Sequence, residues 1–340
     1  MLYSFAYVIA FLDHVLIFPL KRVYEVVSRS TLLLINAVFV FFLIYSIRTG
    51  YVHRVFEGLV YAPYQLSMGY TESNVLGMSK VLSLPIQLND SEAPNISAES
   101  VLVWDVDNQR ELYSKNKEEK HAPASTTKLM TALIALDLYP LDEKLVVPGE
   151  CTLVDSTRVN YPSGEIFTVK SLLYSLLVAS AGDSACVLSS GSVDYNSFVD
   201  LMNVKAANYG MENTHFTNPV GLDGINGGHY STAEDLLKLS LIAIRNPLIS
   251  EIVKTPVYKI VSEDFNFSKD LRNTNDLLWE IPQTVGVKTG TTEEAGEVLI
   301  YEYKDDEKNI LVLIMGSKDR FGDTKELLDW ILNKYSWNIQ

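Results

Sequence analysis

The sequence predicts an α+β domain built on one antiparallel sheet, and three observations point there. A strand–turn–strand pattern opens the globular part, helical patterns fill its middle, and three strand-like runs followed by one helix close it. Strands gathered at the two ends with helices between them describe a sheet joined from both ends of the sequence.

Bulk properties narrow the field. The chain has 340 residues, 47% of them hydrophobic, which is enough for a large core in one or two domains. A formal net charge of −14 argues against duplex nucleic acid as a partner and reads as ordinary acidic solubility. The five histidines are scattered without H-E-x-x-H spacing. The two cysteines, Cys151 and Cys186, have no C-x-x-C or Cys/His neighbour, so no metal site is expected. The two cysteines could form one disulfide in an oxidising compartment, but free buried thiols are the expectation.

Residues 1–50 read as a membrane anchor. The run Thr31–Ile47, TLLLINAVFVFFLIYSI, carries no charge and lies between Arg29 and Arg48. It approaches the length of about 20 apolar residues that a span requires. An earlier run, Leu2–Leu20, is interrupted by Asp13, His14 and Pro19, and it either crosses the bilayer or lies along it. No small-residue cleavage site follows, so the anchor is expected to be retained. Lys21, Arg22 and Arg29 lie between the runs, which by the positive-inside tendency keeps that segment cytoplasmic. With one span or two, the remainder falls on the extracytoplasmic side of the cell membrane. Arg48, His53 and Arg54 are the opposing signal. Residues 51–94 mix Ser, Asn, Tyr, Gly and Pro without a sustained period and read as a tether; 95–340 reads as the folded domain.

In that domain SVLVWDVD and ELYSKN, separated by turn formers around Asn108, predict a β-hairpin. HAPASTTKLMTALIALDL follows. Pro123 restricts its start, and Thr126–Leu138 is an apolar, helix-like run. From about Thr168 to Pro247 the pattern is mainly helical, in TVKSLLYSLLVAS, YNSFVDLMNVKAANYG and STAEDLLKLSLIAI. The last opens with Ser231 and Thr232 in capping positions. A loop dense in Gly and Asn, HFTNPVGLDGINGGHYS, interrupts the helices. VGVKTGTT, GEVLIYEY and NILVLIMGS predict strands, and TKELLDWILNKY the closing helix.

Three clusters carry chemistry. Ser125 and Lys128 stand at i and i+3, on one helix face. A serine hydroxyl is a poor nucleophile until its proton is removed. A lysine can remove it once burial or a neighbouring cation lowers its pKa. Alone, S-x-x-K is a short pattern that arises often by chance. The second cluster, Ser180-Ala181-Gly182-Asp183, falls at the break after an apolar helix. The third, Lys288-Thr289-Gly290, lies on a predicted strand and is followed by Thr291.

In this order and spacing the clusters resemble the penicillin-recognising serine enzymes, and more narrowly the D-alanyl-D-alanine carboxypeptidases, the low-molecular-mass penicillin-binding proteins. The similarity runs through PASTTKLMTALIAL, PSGEIFTVKSLLYSLLVAS, GMENTHFTNPVGLDG, STAEDLLKLS, GVKTGTTEEAG and GSKDRFGDTKELLDW, from about Asn95 to Trp330. It implies a β-lactamase/transpeptidase-like domain with an antiparallel sheet flanked by helices. The β-domain that some members append after the closing helix is not expected here. The implied substrate is a peptidoglycan stem peptide, with β-lactam antibiotics as covalent inhibitors and no metal or organic cofactor.

The resemblance also assigns roles. Ser125 would attack the carbonyl between two terminal D-alanines, and Lys128 would take its proton. Ser180 would relay a proton to the leaving amine. Lys288 would press down the pKa of Lys128 and help hold the terminal carboxylate. The backbone N–H groups of Ser125 and Thr291 would face the oxyanion. Thr289 and Arg320 would bind the carboxylate, and Gly290 would let the strand edge approach the substrate backbone. Cys186 and His229 read as structural.

One position departs from the family. Its middle cluster is usually Ser-x-Asn, and this chain has Gly182 in the asparagine's place. Two readings follow: a slow or altered enzyme, or a tethered wall-binding protein that kept the cleft without turnover. Asp183 beside it would raise the pKa of Lys128. A class A β-lactamase shares two clusters but needs a deacylating glutamate loop that is not found here. The G-D-S of Gly182–Ser184 lies among helices, unlike that of the all-β proteases.

Overall fold

The structure, a computed structural model, describes residues 84–337. The anchor and most of the tether lie outside the described residues. Among the described residues, no helix is long and apolar enough to cross a membrane.

In chain order, β1 (Ile86–Gln87) precedes the hairpin of β2 (Ser100–Asp105) and β3 (Arg110–Lys115). Asp105 closes the turn by accepting the Asn108 backbone N–H at 2.9 Å. A 3₁₀ turn, Ala124–Thr127, leads into α1 (Lys128–Leu138). The strands β4 (Lys144–Val146) and β5 (Ile166–Thr168) pair with each other. The helical middle is α2 (Val169–Val178), α3 (Gly182–Ser189), α4 (Tyr195–Asn208), α5 (Ala233–Arg245) and α6 (Pro247–Val253). A second hairpin, β6 (Val257–Val261) with β7 (Ser268–Arg272), and the short α7 (Leu277–Glu280) follow. Then come β8 (Thr284–Thr292), β9 (Gly296–Lys304), β10 (Asn309–Ser317), α8 (Arg320–Lys334) and β11 (Tyr335–Ser336).

The five-stranded sheet has the order β3-β2-β10-β9-β8, every pair antiparallel. The first hairpin and the last three strands therefore do share one sheet. Its centre is apolar on both faces because alternate residues serve different cores. Leu102, Val298, Ile300, Leu311, Leu313 and Met315 face the core built from α1, α2 and α5. Val101, Val103, Leu299, Tyr301, Val312 and Ile314 face a second core closed by Leu327, Leu328 and Ile331 of α8. Strands buried on both faces read as continuous apolar runs, which is why NILVLIMGS has no polar alternation. Each such side chain contributes about 1.5–3 kcal/mol over leaving it in water. This sandwiched sheet holds β8 at its edge, beside the 3₁₀ turn.

Helix starts follow capping chemistry. Thr168, Asp194, Thr232, Asn246 and Asp319 each accept a backbone N–H from the first turn of the helix they open. Thr232 caps α5 as expected. Ser231 instead exchanges backbone hydrogen bonds with His121. The closing helix begins at Arg320, ahead of the expected Thr324, because Asp319 supplies the cap.

Three features depart from the sequence reading. Cys151 and Cys186 are not free thiols: they form a disulfide, with sulfurs 2.02 Å apart. The 3₁₀ turn Gly149–Leu153 packs against α3 and brings together cysteines 35 positions apart, which spacing cannot reveal. The hairpins β4–β5 and β6–β7 were not anticipated. Finally, Ile86 and Gln87, in the stretch read as tether, pair with Ser336 and Tyr335. The folded domain thus starts before residue 95.

Candidate active site

The site begins with Pro123 and Ala124. Ala124 adopts φ +48, in the left-handed region that only a minority of non-glycine residues visit. That bend sets Ser125 in the 3₁₀ turn and Lys128 at the first position of α1. The Lys128 Nζ donates to Ser125 Oγ at 2.7 Å and to the Val220 carbonyl at 2.5 Å. Ser125 is half-buried and reachable, whereas Lys128 is fully buried. Burial brings the Lys128 amine down to about 7, against an opposing pull from the Asp183 carboxylate.

Ser180 stands at the break between α2 and α3, and its partner Lys288 is close enough to Lys128 to feel its charge. Ser180 too holds left-handed backbone, at φ +56. Its hydroxyl accepts from Lys288 Nζ at 2.9 Å, and Lys288 also donates to the Thr289 carbonyl at 2.9 Å. Lys288 lies well below the ordinary amine range, first through burial and then through the charges of Lys128 and Arg320. The expectation was that Lys288 depresses Lys128. Burial brings Lys128 down instead, and the charge effect appears at Lys288.

The remaining residues line the end of β8. The Thr289 hydroxyl lies 2.6 Å from that of Thr274 and is buried. Arg320 Nη1 donates to the Gly290 carbonyl at 2.9 Å and also to the Thr291 hydroxyl. Gly290 also has a packing contact that the sequence did not suggest. A Cβ there would lie 2.8 Å from Ser125 N, 2.8 Å from Ala124 Cβ and 3.3 Å from Pro123 O. Its bare backbone serves the packing of β8 against the nucleophile's own segment. Val298 and the rest of β9 hold it there.

Gly182 opens α3, and its N–H donates to the Thr157 carbonyl at 2.7 Å. Asp183 is buried and accepts the backbone N–H groups of Val159, Asn160 and Ser184. Burial raises its pKa against those hydrogen bonds. Its charge still works upward on Lys128, as expected, but burial outweighs it. His229 is buried and its pKa is lowered to about 4, chiefly by burial. Its Nδ1 accepts the Thr217 N–H at 3.0 Å, so Nε2 carries the proton and donates to Thr127 Oγ1 at 2.9 Å. It buttresses the 3₁₀ turn.

Sequence reasoning missed Val220 and Thr274. The first acts through a backbone carbonyl, which has no residue signature. The second is one threonine among many in a segment without a recognised pattern.

A buried amine on a reachable serine hydroxyl, accompanied by a second Ser–Lys pair at a sheet edge, defines a serine-type peptidase of the acyl-transfer class. The chain belongs to the peptidase S11 family, D-alanyl-D-alanine carboxypeptidase, whose family model matches residues 87–319. It is 30% identical over 243 residues to the D-alanyl-D-alanine carboxypeptidase DacB2 of Mycobacterium tuberculosis, covering 70% of this chain and 83% of the relative. It is 32% identical to a D-alanyl-D-alanine endopeptidase of Escherichia coli, covering 70% and 78%. The crystal structure of the Streptomyces K15 DD-transpeptidase superposes with a TM-score of 0.67 at 28% identity, covering 72% of this chain and all of that one. The fold is thus that of the penicillin-binding and transpeptidase enzymes.

Proposed function

We propose that the protein is a membrane-anchored D-Ala-D-Ala carboxypeptidase that trims peptidoglycan stem peptides through an acyl-enzyme on Ser125. The observation that carries this reading is the 2.7 Å contact between the Ser125 hydroxyl and a buried Lys128 amine lowered to about 7. At neutral pH much of Lys128 is unprotonated and takes the Ser125 proton as Oγ attacks the carbonyl between the two terminal D-alanines. The backbone N–H groups of Ser125 and Thr291 receive the oxyanion.

As the tetrahedral intermediate collapses, the C–N bond breaks and the proton held by Lys128 passes through the Ser180 hydroxyl to the departing amine of D-alanine, which leaves Lys128 unprotonated again. The arriving substrate carboxylate favours the charged form of the Lys288 amine, because an opposite charge raises a depressed amine. Arg320 and Thr289 hold that carboxylate, the guanidinium through its planar fork. Water then attacks the ester, with Lys128 again as base, and frees Ser125. A β-lactam enters by the same attack. Its ring nitrogen stays attached to the acyl group, so it blocks the cleft as a covalent inhibitor.

The placement of the domain on the extracytoplasmic side of the cell membrane is supported by the cations between the two apolar runs. The Cys151–Cys186 disulfide adds to it, because such bonds persist in oxidising compartments. A reporter enzyme active only in the cytoplasm, fused after Gln340, should be silent; an active fusion would overturn the orientation.

The test of the chemistry is twofold. A fluorescent penicillin should label the native chain and not Ser125→Ala. The native chain should release D-alanine from a pentapeptide stem, and Ser125→Ala should not. Labelling without release would favour the wall-binding reading instead.

A further inference from the structure

Position 182 has no room for a side chain. A Cβ built on Gly182 would lie 2.7 Å from Ser156 Cβ, 2.8 Å from Ser156 Oγ and 3.2 Å from Val220 Cγ1. The first two distances are inside van der Waals contact. The space a side chain at 182 would fill is therefore already taken by Ser156, which comes from a different segment.

That segment is fixed in place. The Thr157 carbonyl accepts the Gly182 N–H at 2.7 Å. The Asp183 carboxylate accepts the N–H groups of Val159 at 3.2 Å and Asn160 at 2.8 Å. Lys269 Nζ donates to the Val159 carbonyl at 2.9 Å. The disulfide ties Cys151, just ahead of the segment, to Cys186, one turn along the helix that Gly182 opens. The third neighbour of the filled space, Val220, carries the carbonyl that receives Lys128 Nζ. Ser156 consequently stands beside the wall that holds the amine of the first Ser–Lys pair. It is partly exposed, and among the described residues its hydroxyl has no hydrogen-bond partner.

We propose, resting on the D-Ala-D-Ala reading above, that Ser156 is a specificity-determining residue of this site. It supplies from a tethered neighbouring segment the side chain that position 182 lacks, and its hydroxyl hydrogen-bonds the peptide backbone of the substrate's acyl part. A hydroxyl can both donate and accept, as an asparagine amide does, so the glycine is an exchange of supplier and the hydrogen bond is kept. An asparagine at 182 and a serine at 156 are mutually exclusive occupants of one space.

The test uses the full-length protein in detergent and four variants: Gly182→Asn, Ser156→Gly, the two combined, and Ser156→Ala. Acylation by a fluorescent penicillin, kcat and KM for D-alanine release from a diacyl-L-lysyl-D-alanyl-D-alanine peptide, and melting temperature are measured on each. Gly182→Asn alone should lose about tenfold or more in kcat/KM, and the combined variant should regain most of it, because contacting sites couple. Ser156→Ala keeps the volume and should melt with the native chain, yet raise the peptide KM about tenfold with kcat little changed, for one lost hydrogen bond. A combined variant no better than Gly182→Asn, or a native KM in Ser156→Ala, overturns the proposal. Penicillin labelling that survives Ser125→Ala would instead sink the serine mechanism, so the two failures are distinguishable.

Discussion

Arg320 Nη1 donates to the Gly290 carbonyl at 2.9 Å, which ties the first residue of α8 to the strand that packs on Ser125. The same nitrogen reaches the Thr291 hydroxyl, so the guanidinium is oriented before any anion arrives. Arg320→Lys keeps the charge but loses the planar fork. The expected outcome is a rise in peptide KM on the order of tenfold with a smaller change in kcat, read from D-alanine release. An unchanged KM would remove Arg320 from carboxylate binding.

The pH dependence follows from Lys128. Its folded-state value of about 7 means that the amine is protonated, and useless as a base, below that pH. Acylation by penicillin should fall about tenfold per pH unit below roughly pH 7 and level off above it. Lys288 is close enough for the charge of Lys128 to act on it, so the apparent value belongs to the pair of amines. A rate already level between about pH 5 and about pH 7 would exclude Lys128 as the base.

Gly290→Ala tests the contact between β8 and the nucleophile. The added methyl would lie 2.8 Å from the Ser125 backbone nitrogen, which has no flexible side chain to move aside. Overpacking of this kind costs about 1–3 kcal/mol, and here it also displaces an oxyanion donor. Penicillin acylation should slow at least about tenfold, with a lowered melting temperature. Native rates in a folded Gly290→Ala variant would show that the approach is unimportant.

Removing the disulfide should destabilise the domain. Joining residues 35 apart limits the unfolded chain by about 3–4 kcal/mol in the loop-entropy account. The Cys151→Ser/Cys186→Ser variant should therefore melt on the order of 10 °C lower. Scanning calorimetry checks this, and an unchanged melting temperature would mean that the packing of the Gly149–Leu153 turn on α3 suffices alone.

What the sequence disclosed and what it withheld divide along chain distance. The β2–β3 hairpin, the apolar strands, the Thr232 cap and the i, i+3 meeting of Ser125 and Lys128 depend on neighbours in sequence, and each was legible. The pairing of Cys151 with Cys186, the Val220 carbonyl on Lys128 and the Thr274–Thr289 hydroxyl contact depend on distant segments meeting, and no local pattern announces them. Gly182 is instructive. From sequence it reads as a lost asparagine, and only its contact with Ser156 explains why nothing larger fits.

Ala124, beside the first Ser–Lys pair, and Ser180, a member of the second, both occupy left-handed backbone. Non-glycine residues held there cost on the order of 1–3 kcal/mol each. Ala124→Gly would relax the first of these without touching a reacting atom. That makes residue 124 a lever for heat-hardening the enzyme, and one whose use would loosen the very bend that aims the nucleophile.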